Sequence, residues 1–204
     1  MKDEGGFGKK SNDFDLEEYM KKSYLYVVTL ILLVGFCYGE ANQDDMFILR
    51  DGVLQKCQDR ITMEIIIPEK VKCIADQAFS GNRKVSRIVT QDGLEAIGSH
   101  AFSNCDNLQD VVIAETITNI GSSAFCGCHR LDHIDLPPNL QCIPRLLLFA
   151  CGKIHSVSIP KSARSIEGCA FQDCRELKQV NIDGVITNIG AGAFSGCVAL
   201  EKIR

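Results

Sequence analysis

The chain has 204 residues, 46% of them hydrophobic and 24% charged, a balance that excludes global disorder and suffices for one folded domain behind a leader. A formal net charge of −4 and an isoelectric point near 5.6 give no electrostatic attraction to a phosphate backbone, so nucleic acid is a poor partner. Trp is absent and all four Tyr (Tyr19, Tyr24, Tyr26, Tyr38) lie in the N-terminal part, leaving only Phe downstream and little from which to build stacking platforms for bases.

Residues 24–38, YLYVVTLILLVGFCY, form an uninterrupted apolar run directly preceded by Lys21 and Lys22. The run is shorter than the roughly 20 residues that cross a bilayer comfortably, and Gly39, Glu40 and Ala41 follow it, which is the shape of a secretory signal cleaved after Gly39. Residues 1–19 carry Asp3, Glu4, Asp13, Asp15, Glu17 and Glu18, whereas the start of a signal is basic. Two readings follow: Met20 is the true start, or the leader has an extended tail and stays in place as an anchor. A lipoprotein signal is rejected, because Phe36 stands before Cys37 where a small residue is required. The expected organisation is 1–39 tail and signal or anchor, 40–64 a leading segment, and 65–204 a repeat array.

From residue 65 onward the chain aligns on itself at an offset of 23 without a gap. Ile74, Ile97, Ile120, Ile143, Ile166 and Ile189 share one column; Val85, Leu108, Leu131, Ile154, Leu177 and Leu200 share another. Ile65, Ile88, Val111, Ile134, Val157, Val180 and Ile203 form a third, and Phe79, Phe102, Phe125, Leu148, Phe171 and Phe194 a fourth. A period of this length with an L-x-x-L-x-L core is the signature of a leucine-rich-repeat solenoid. The turn from Leu108 to Cys128 shows the logic. Val111 and Ile113 point inward from a short strand and Asp110 and Val112 outward. The return path packs Ile117, Ile120, Ala124 and Phe125 behind the sheet, with Gly121, like Gly98 and Gly190, at a tight place. One strand per turn cannot bury its own faces, so each turn is stable only between neighbours. The expected fold class is an α/β solenoid: a right-handed leucine-rich repeat with a parallel sheet on the concave face and short helical or irregular convex segments. Leu200 and Ile203 begin another strand, so the C-terminal edge is expected to be uncapped.

Strands reading V-x-I-P or I-x-L-P and return paths reading I-G-x-x-A-F-x-x-C resemble the BspA-like leucine-rich repeats of bacterial and protist surface proteins. The matching residues are Ile97-Gly98, Ala101-Phe102 and Cys105; Ile120-Gly121, Ala124-Phe125 and Cys128; and Ile189-Gly190, Ala193-Phe194 and Cys197. The resemblance spans about residues 46–204, since FILRDGVLQKC (47–57) looks like the family's leading hairpin, with Asp51-Gly52 as its turn. It implies a secreted or surface-exposed protein with an adhesive or other interaction role, and names no ligand. The fourth turn departs from the pattern, with Pro144 in place of Gly, Leu147-Leu148 in place of Ala-Phe, and Phe149 one place late.

Eleven cysteines invite chemistry, but Cys105, Cys128, Cys151, Cys174 and Cys197 fall in one column headed by Asn82, as a ladder of small buried thiols would. Parallel side-chain vectors suit disulfides badly, so free thiols are expected. The string CGCHRLDH (Cys126, Cys128, His129, His133) superficially resembles a zinc cluster, yet its members fall on different faces and cannot converge on one tetrahedral ion. No metal or other cofactor is therefore expected. Outward strand positions tile one face: Arg87, Val89, Asp110, Val112, His133, Asp135, Ser156, Ser158, Gln179 and Asn181. Solenoids commonly bind through such a face, and it is the candidate contact site. The expected function is a non-enzymatic, secreted or surface-displayed protein that binds a protein or other extracellular macromolecule, with the membrane involved only through an uncleaved N-terminal run. The alternatives are an intracellular scaffold, and an enzyme using Asp110, His133 and Asp135 as an acid-base trio, which would require a pocket around them.

Overall fold

The computed structural model describes residues 47–57 and 63–204; the leader, its cleavage point and the basic pair before it lie outside the described residues. Strands β1 (Phe47–Arg50) and β2 (Val53–Cys57) form an antiparallel hairpin. Asp51 and Gly52 both have positive φ (49° and 75°), the pairing a tight two-residue turn requires. The Asp-Gly turn expected from the sequence is therefore present.

Beyond the hairpin, turns bring two short strand segments each into register with their neighbours. The first ladder contains β3 (Glu64–Ile66), β5 (Arg87–Val89) and β7 (Asp110–Val112), and resumes with β10 (Ser156–Ile159), β12 (Gln179–Ile182) and β14 (Lys202–Ile203). A second ladder runs β1-β2-β4-β6-β8, with β4 (Cys73–Ile74), β6 (Ala96–Ile97) and β8 (Asn119–Ile120), and resumes as β9 (Cys142–Ile143), β11 (Ser165–Ile166) and β13 (Asn188–Ile189). Apart from the hairpin, every pairing is parallel; β2 joins β4 at an offset of 20 (Leu54 with Ile74), and thereafter partners stand 23 residues apart: Ile65 with Ile88, Ile88 with Val111, Val157 with Val180. The result is a β-solenoid whose interior holds the columns read from the sequence up to the last turn, where Ile189 and Ile203 are exposed. Ile65, Ile88, Ile134, Val157 and Val180 are all buried, and Phe79, Phe102, Phe125 and Phe171 are at most 2% exposed. The Phe rings stack along the axis, with centroids 4.9 Å apart for Phe79 and Phe102 and 5.3 Å for Phe102 and Phe125.

Of the helical or irregular return segments expected, only irregular ones are present, since no helix occurs among the described residues. Two residues per turn, four apart, adopt left-handed backbone there: Gln77, His100, Ser123, Leu146, Cys169 and Gly192 in one column, then Gly81, Asn104, Gly127, Ala150, Asp173 and Gly196 in another. An α-helix would spend every N–H within its own segment. With these departures from helical backbone, every second N–H points along the solenoid axis: Gln77 donates to Ser99 O (2.9 Å), Phe79 to Ala101 O (2.8 Å) and Gly81 to Ser103 O (2.8 Å). A third inter-turn ladder results, and it satisfies backbone that a short helix would leave open at both ends. The residues between donate locally, as Ala78 N does to Ala75 O.

Gly98, Gly121 and Gly190 sit where successive turns nearly touch. A Cβ on Gly121 would lie 2.4 Å from Ser99 N, and one on Gly190 2.4 Å from Gly168 N. Close backbone approach is the reason for glycine there, since none of the three has positive φ.

The fourth turn departs from the others, as its sequence does. Leu147 and Leu148 are fully buried in place of Ala and Phe, while Phe149 is left half-buried. His133–Asp135 forms no strand, so the sheet expected to run unbroken from Ile65 to Ile203 is interrupted there.

Candidate functional site

Strand alternation places two rows of side chains on the outer face of the first ladder. One row is Glu64, Arg87, Asp110, His133, Ser156, Gln179; the other is Ile66, Val89, Val112, Asp135, Ser158, Asn181, with backbone pairing holding the register on either side of the unpaired His133–Asp135 segment. Between the rows, Ile88, Val111, Ile134, Val157 and Val180 point into the core. Most expected outward residues are exposed or half-buried; Val89 is not, at 7% exposed. It stands outside the core cluster, as its register requires, and its paired neighbours Ile66 and Val112 flank it on either side. Val112 is 41% exposed, so this row is apolar at one end and polar at the other.

The charged row is internally paired. Arg87 lies 3.4 Å from Glu64 and its Nε 2.9 Å from Asp110 Oδ2, the latter at an angle that makes the contact ionic rather than a directed hydrogen bond. His133 Nε2 lies 3.2 Å from Asp135 Oδ2. The three residues weighed as an acid-base trio are thus divided, with Asp110 turned to Arg87 and His133 to Asp135.

Beside these rows lies an open depression of about 520 Å³ lined by Gln109, Arg130, Asp132, Lys153, His155 and Glu176, which the sequence reading did not single out. Glu176 accepts from Lys153 Nζ at 2.6 Å and faces His155 Nε2 at 3.3 Å. The Lys153 hydrogen bond holds its carboxyl below the ordinary range. Its signal in the sequence is a set of polar columns at the repeat offset: 109, 132 and 155, and 130, 153 and 176.

The cysteine column is a ladder of hydrogen-bonded thiols. Cys105 donates to Phe79 O (3.2 Å), Cys128 to Phe102 O (3.2 Å), Cys151 to Phe125 O (3.1 Å), Cys174 to Leu148 O (3.1 Å) and Cys197 to Phe171 O (3.0 Å). At the head, Asn82 Oδ1 instead accepts from Lys84 N and Val85 N. Burial pushes the Cys105 and Cys174 thiols up to about 12 and raises those of Cys128 and Cys151 well above the ordinary thiol value. Thiols so held stay protonated and are neither nucleophiles nor metal ligands at neutral pH. Cys73, Cys105, Cys126, Cys128, Cys142, Cys151, Cys169, Cys174 and Cys197 form no disulfide. Of the CGCHRLDH string, Cys128 is buried in the ladder, Cys126 is half-buried, and His129 is exposed with Nδ1 3.1 Å from Ala150 O. Among the described residues no group of three or more His, Cys, Asp or Glu is placed to hold a metal ion.

The motif carried by this scaffold is matched by the BspA type leucine-rich-repeat region, in six copies over residues 51–159 and 143–204. The chain belongs to the BspA-type leucine-rich-repeat family. Solved structures similar to this BspA-type chain include the leucine-rich-repeat protein of T. pallidum, with 25% identity and a TM-score of 0.69 over 76% of this chain and 88% of that one. A leucine-rich cell surface protein of Faecalibacterium prausnitzii shares 27% identity with a TM-score of 0.66, covering 77% of this chain and 52% of that one. A leucine-rich-repeat protein of Eubacterium ventriosum is similar in fold, at 23% identity and a TM-score of 0.62 over 72% of this chain and 46% of that one. The chain therefore spans about half the length of the latter two. No curated protein matches it. Leucine-rich repeats generally serve protein-protein interaction and are generally not enzymes, and BspA-type repeats are typically surface-associated.

Proposed function

We propose that this BspA-type chain is secreted or displayed at the cell surface and binds a protein or other extracellular macromolecule, in an adhesive role, through the outer face of its first ladder, the face expected to be concave. The observation that carries the reading is the double row running from Glu64 and Ile66 to Gln179 and Asn181. Except at His133 and Asp135, its side chains are spaced by the sheet, and most are free of core packing. Solenoids use such extended faces because the backbone holds each row in place at little cost in ordering on binding. The kinship with a Faecalibacterium prausnitzii cell surface protein supports the location.

Contacts near the middle of an interface are best shielded from water, so Asp110, His133 and Asp135 carry the most weight. The row lacks aromatic anchors, and affinity is expected to be modest. The experiment is capture from extracellular extracts by the wild-type chain, compared with Asp110→Ala/His133→Ala/Asp135→Ala and with a return-face variant altered at His129 and Arg175. The triple variant is expected to lose the captured partner while keeping its unfolding midpoint. Normal capture by that variant, with loss in the return-face variant, would place the site elsewhere.

A further inference from the structure

Pro144 stands in a column whose other members tie successive turns together. Gly98 N donates to Ile74 O (2.8 Å), Gly121 N to Ile97 O (2.7 Å), Glu167 N to Ile143 O (2.9 Å) and Gly190 N to Ile166 O (2.7 Å). Proline has no N–H, so the equivalent bond to Ile120 cannot form, and the second ladder stops at β8 and resumes at β9. The first ladder is interrupted in the same turn. The backbone groups of His133, Ile134 and Asp135 bond to neither neighbouring turn, and Pro137-Pro138 follows with no donor at either position. The Phe stack breaks there as well: Phe125 stacks back on Phe102 and Phe171 forward on Phe194, with Leu148 between them.

What joins the third turn to the fourth is concentrated in the return segments. Ser123 N donates to Arg145 O (2.9 Å), Phe125 N to Leu147 O (3.1 Å), Gly127 N to Phe149 O (2.8 Å), and Cys151 Sγ to Phe125 O (3.1 Å). On the strand side, the described hydrogen bonds across the junction are two long ones of 3.4 Å, Asp132 N to Gln109 O and Asn139 Nδ2 to Glu115 O.

We infer that this junction is a joint built into the solenoid: it opens along both strand ladders, with the return-segment ladder as its hinge line. The turns that contain β1–β8 and those that contain β9–β14 then open as separate units. A solenoid's stability is a sum of turn terms and nearest-neighbour interface terms, so cooperativity divides where an interface term is weakest. The joint crosses the proposed binding face at His133 and Asp135, and opening it changes the spacing of the rows there. It stands on the backbone pairing alone, whether or not that face binds a partner.

Amide hydrogen exchange of the full chain, followed across sub-denaturing urea, tests it. Ile88 and Ile97 should follow one opening isotherm and Ile166 and Val180 another, with protection differing by roughly tenfold or more. Pro144→Gly restores the missing donor and should draw the two isotherms together. Glu167→Pro removes the same bond one turn later and should create a second boundary between Ile143 and Ile166. A single shared isotherm in the wild-type chain overturns the joint. Separate isotherms that Pro144→Gly leaves unmoved overturn the role given to the missing donor.

Discussion

Phe125 shows what a single column position contributes. Its ring is fully buried, stacked on Phe102 at 5.3 Å on one side, and its carbonyl takes the Cys151 thiol from the other. Phe125→Ala is expected to cost about 3–5 kcal/mol through the cavity left between turns, against roughly 0.5 kcal/mol or less for the exposed Ser158→Ala. Equal losses in chemical denaturation would refute the register. The thiols make a second residue-scale prediction. In the folded chain Cys105 and Cys174 hold their protons to about pH 12, whereas an unfolded thiol releases its proton near 8.5 to 9. A raised folded-state pKa contributes stability that is present below the unfolded value and lost as pH climbs toward the folded one. Stability should therefore fall between about pH 9 and 12, by up to about 1.4 kcal/mol per pH unit for each such thiol. Urea midpoints measured from pH 8 upward should decline less steeply in Cys174→Ser, which has no thiol to titrate at that position. Parallel declines would count against the assignment.

Each element of this solenoid is too short to stand alone, and its stability comes from what the adjoining turn presents. Glycines in the I-G column make this measurable. Gly121→Ala would thrust a Cβ to 2.4 Å from the Ser99 backbone nitrogen and 2.6 Å from Gly98 C, so the turns must part, at about 1–3 kcal/mol. Gly152 has open space around it and no positive φ; Gly152→Ala is expected to be neutral or to add about 0.4–1 kcal/mol by restricting the unfolded chain. Thermal unfolding of the pair checks the contrast, and similar losses for both would show that close approach is not why glycine occupies the column. The strand columns were legible because alternation of burial is written directly in Ile88, Val111 and Ile134. The return segments were read only as helical or irregular, and of the two the irregular form is the one present among the described residues. The signal that contradicts a helix was present in Gly81, Asn104, Gly127, Asp173 and Gly196, a column rich in residues that tolerate left-handed backbone.

For the whole molecule, the family and the fold agree, and the location remains the proposal made above. It leads to a concrete expectation at the N-terminus. Lys21-Lys22, the apolar run 24–38 and Gly39 imply a mature chain beginning near Glu40 or Ala41, which N-terminal sequencing of the exported protein would reveal. Recovery of soluble cytoplasmic protein still containing Tyr24–Tyr38 would remove the support for secretion.

Which residues are inside was determined by the sequence alone, since a strict 23-residue period leaves one way to align the apolar columns, and burial of Ile74, Ile97, Phe102, Phe125 and the cysteine ladder follows from it. The Asp51-Gly52 hairpin was also local, set by two residues that accept positive φ. Hydrogen-bond direction and pairing between outer residues were not local. Whether Asp110 faces His133 or Arg87, whether Val89 is covered, and where an open depression forms among Arg130, Lys153 and Glu176 depend on side chains three turns bring together. Pro144 was visible in the sequence as a departure from its column. Only the tertiary structure showed its consequence, because the missing N–H matters through the Ile120 carbonyl one turn away and the ladder that breaks there.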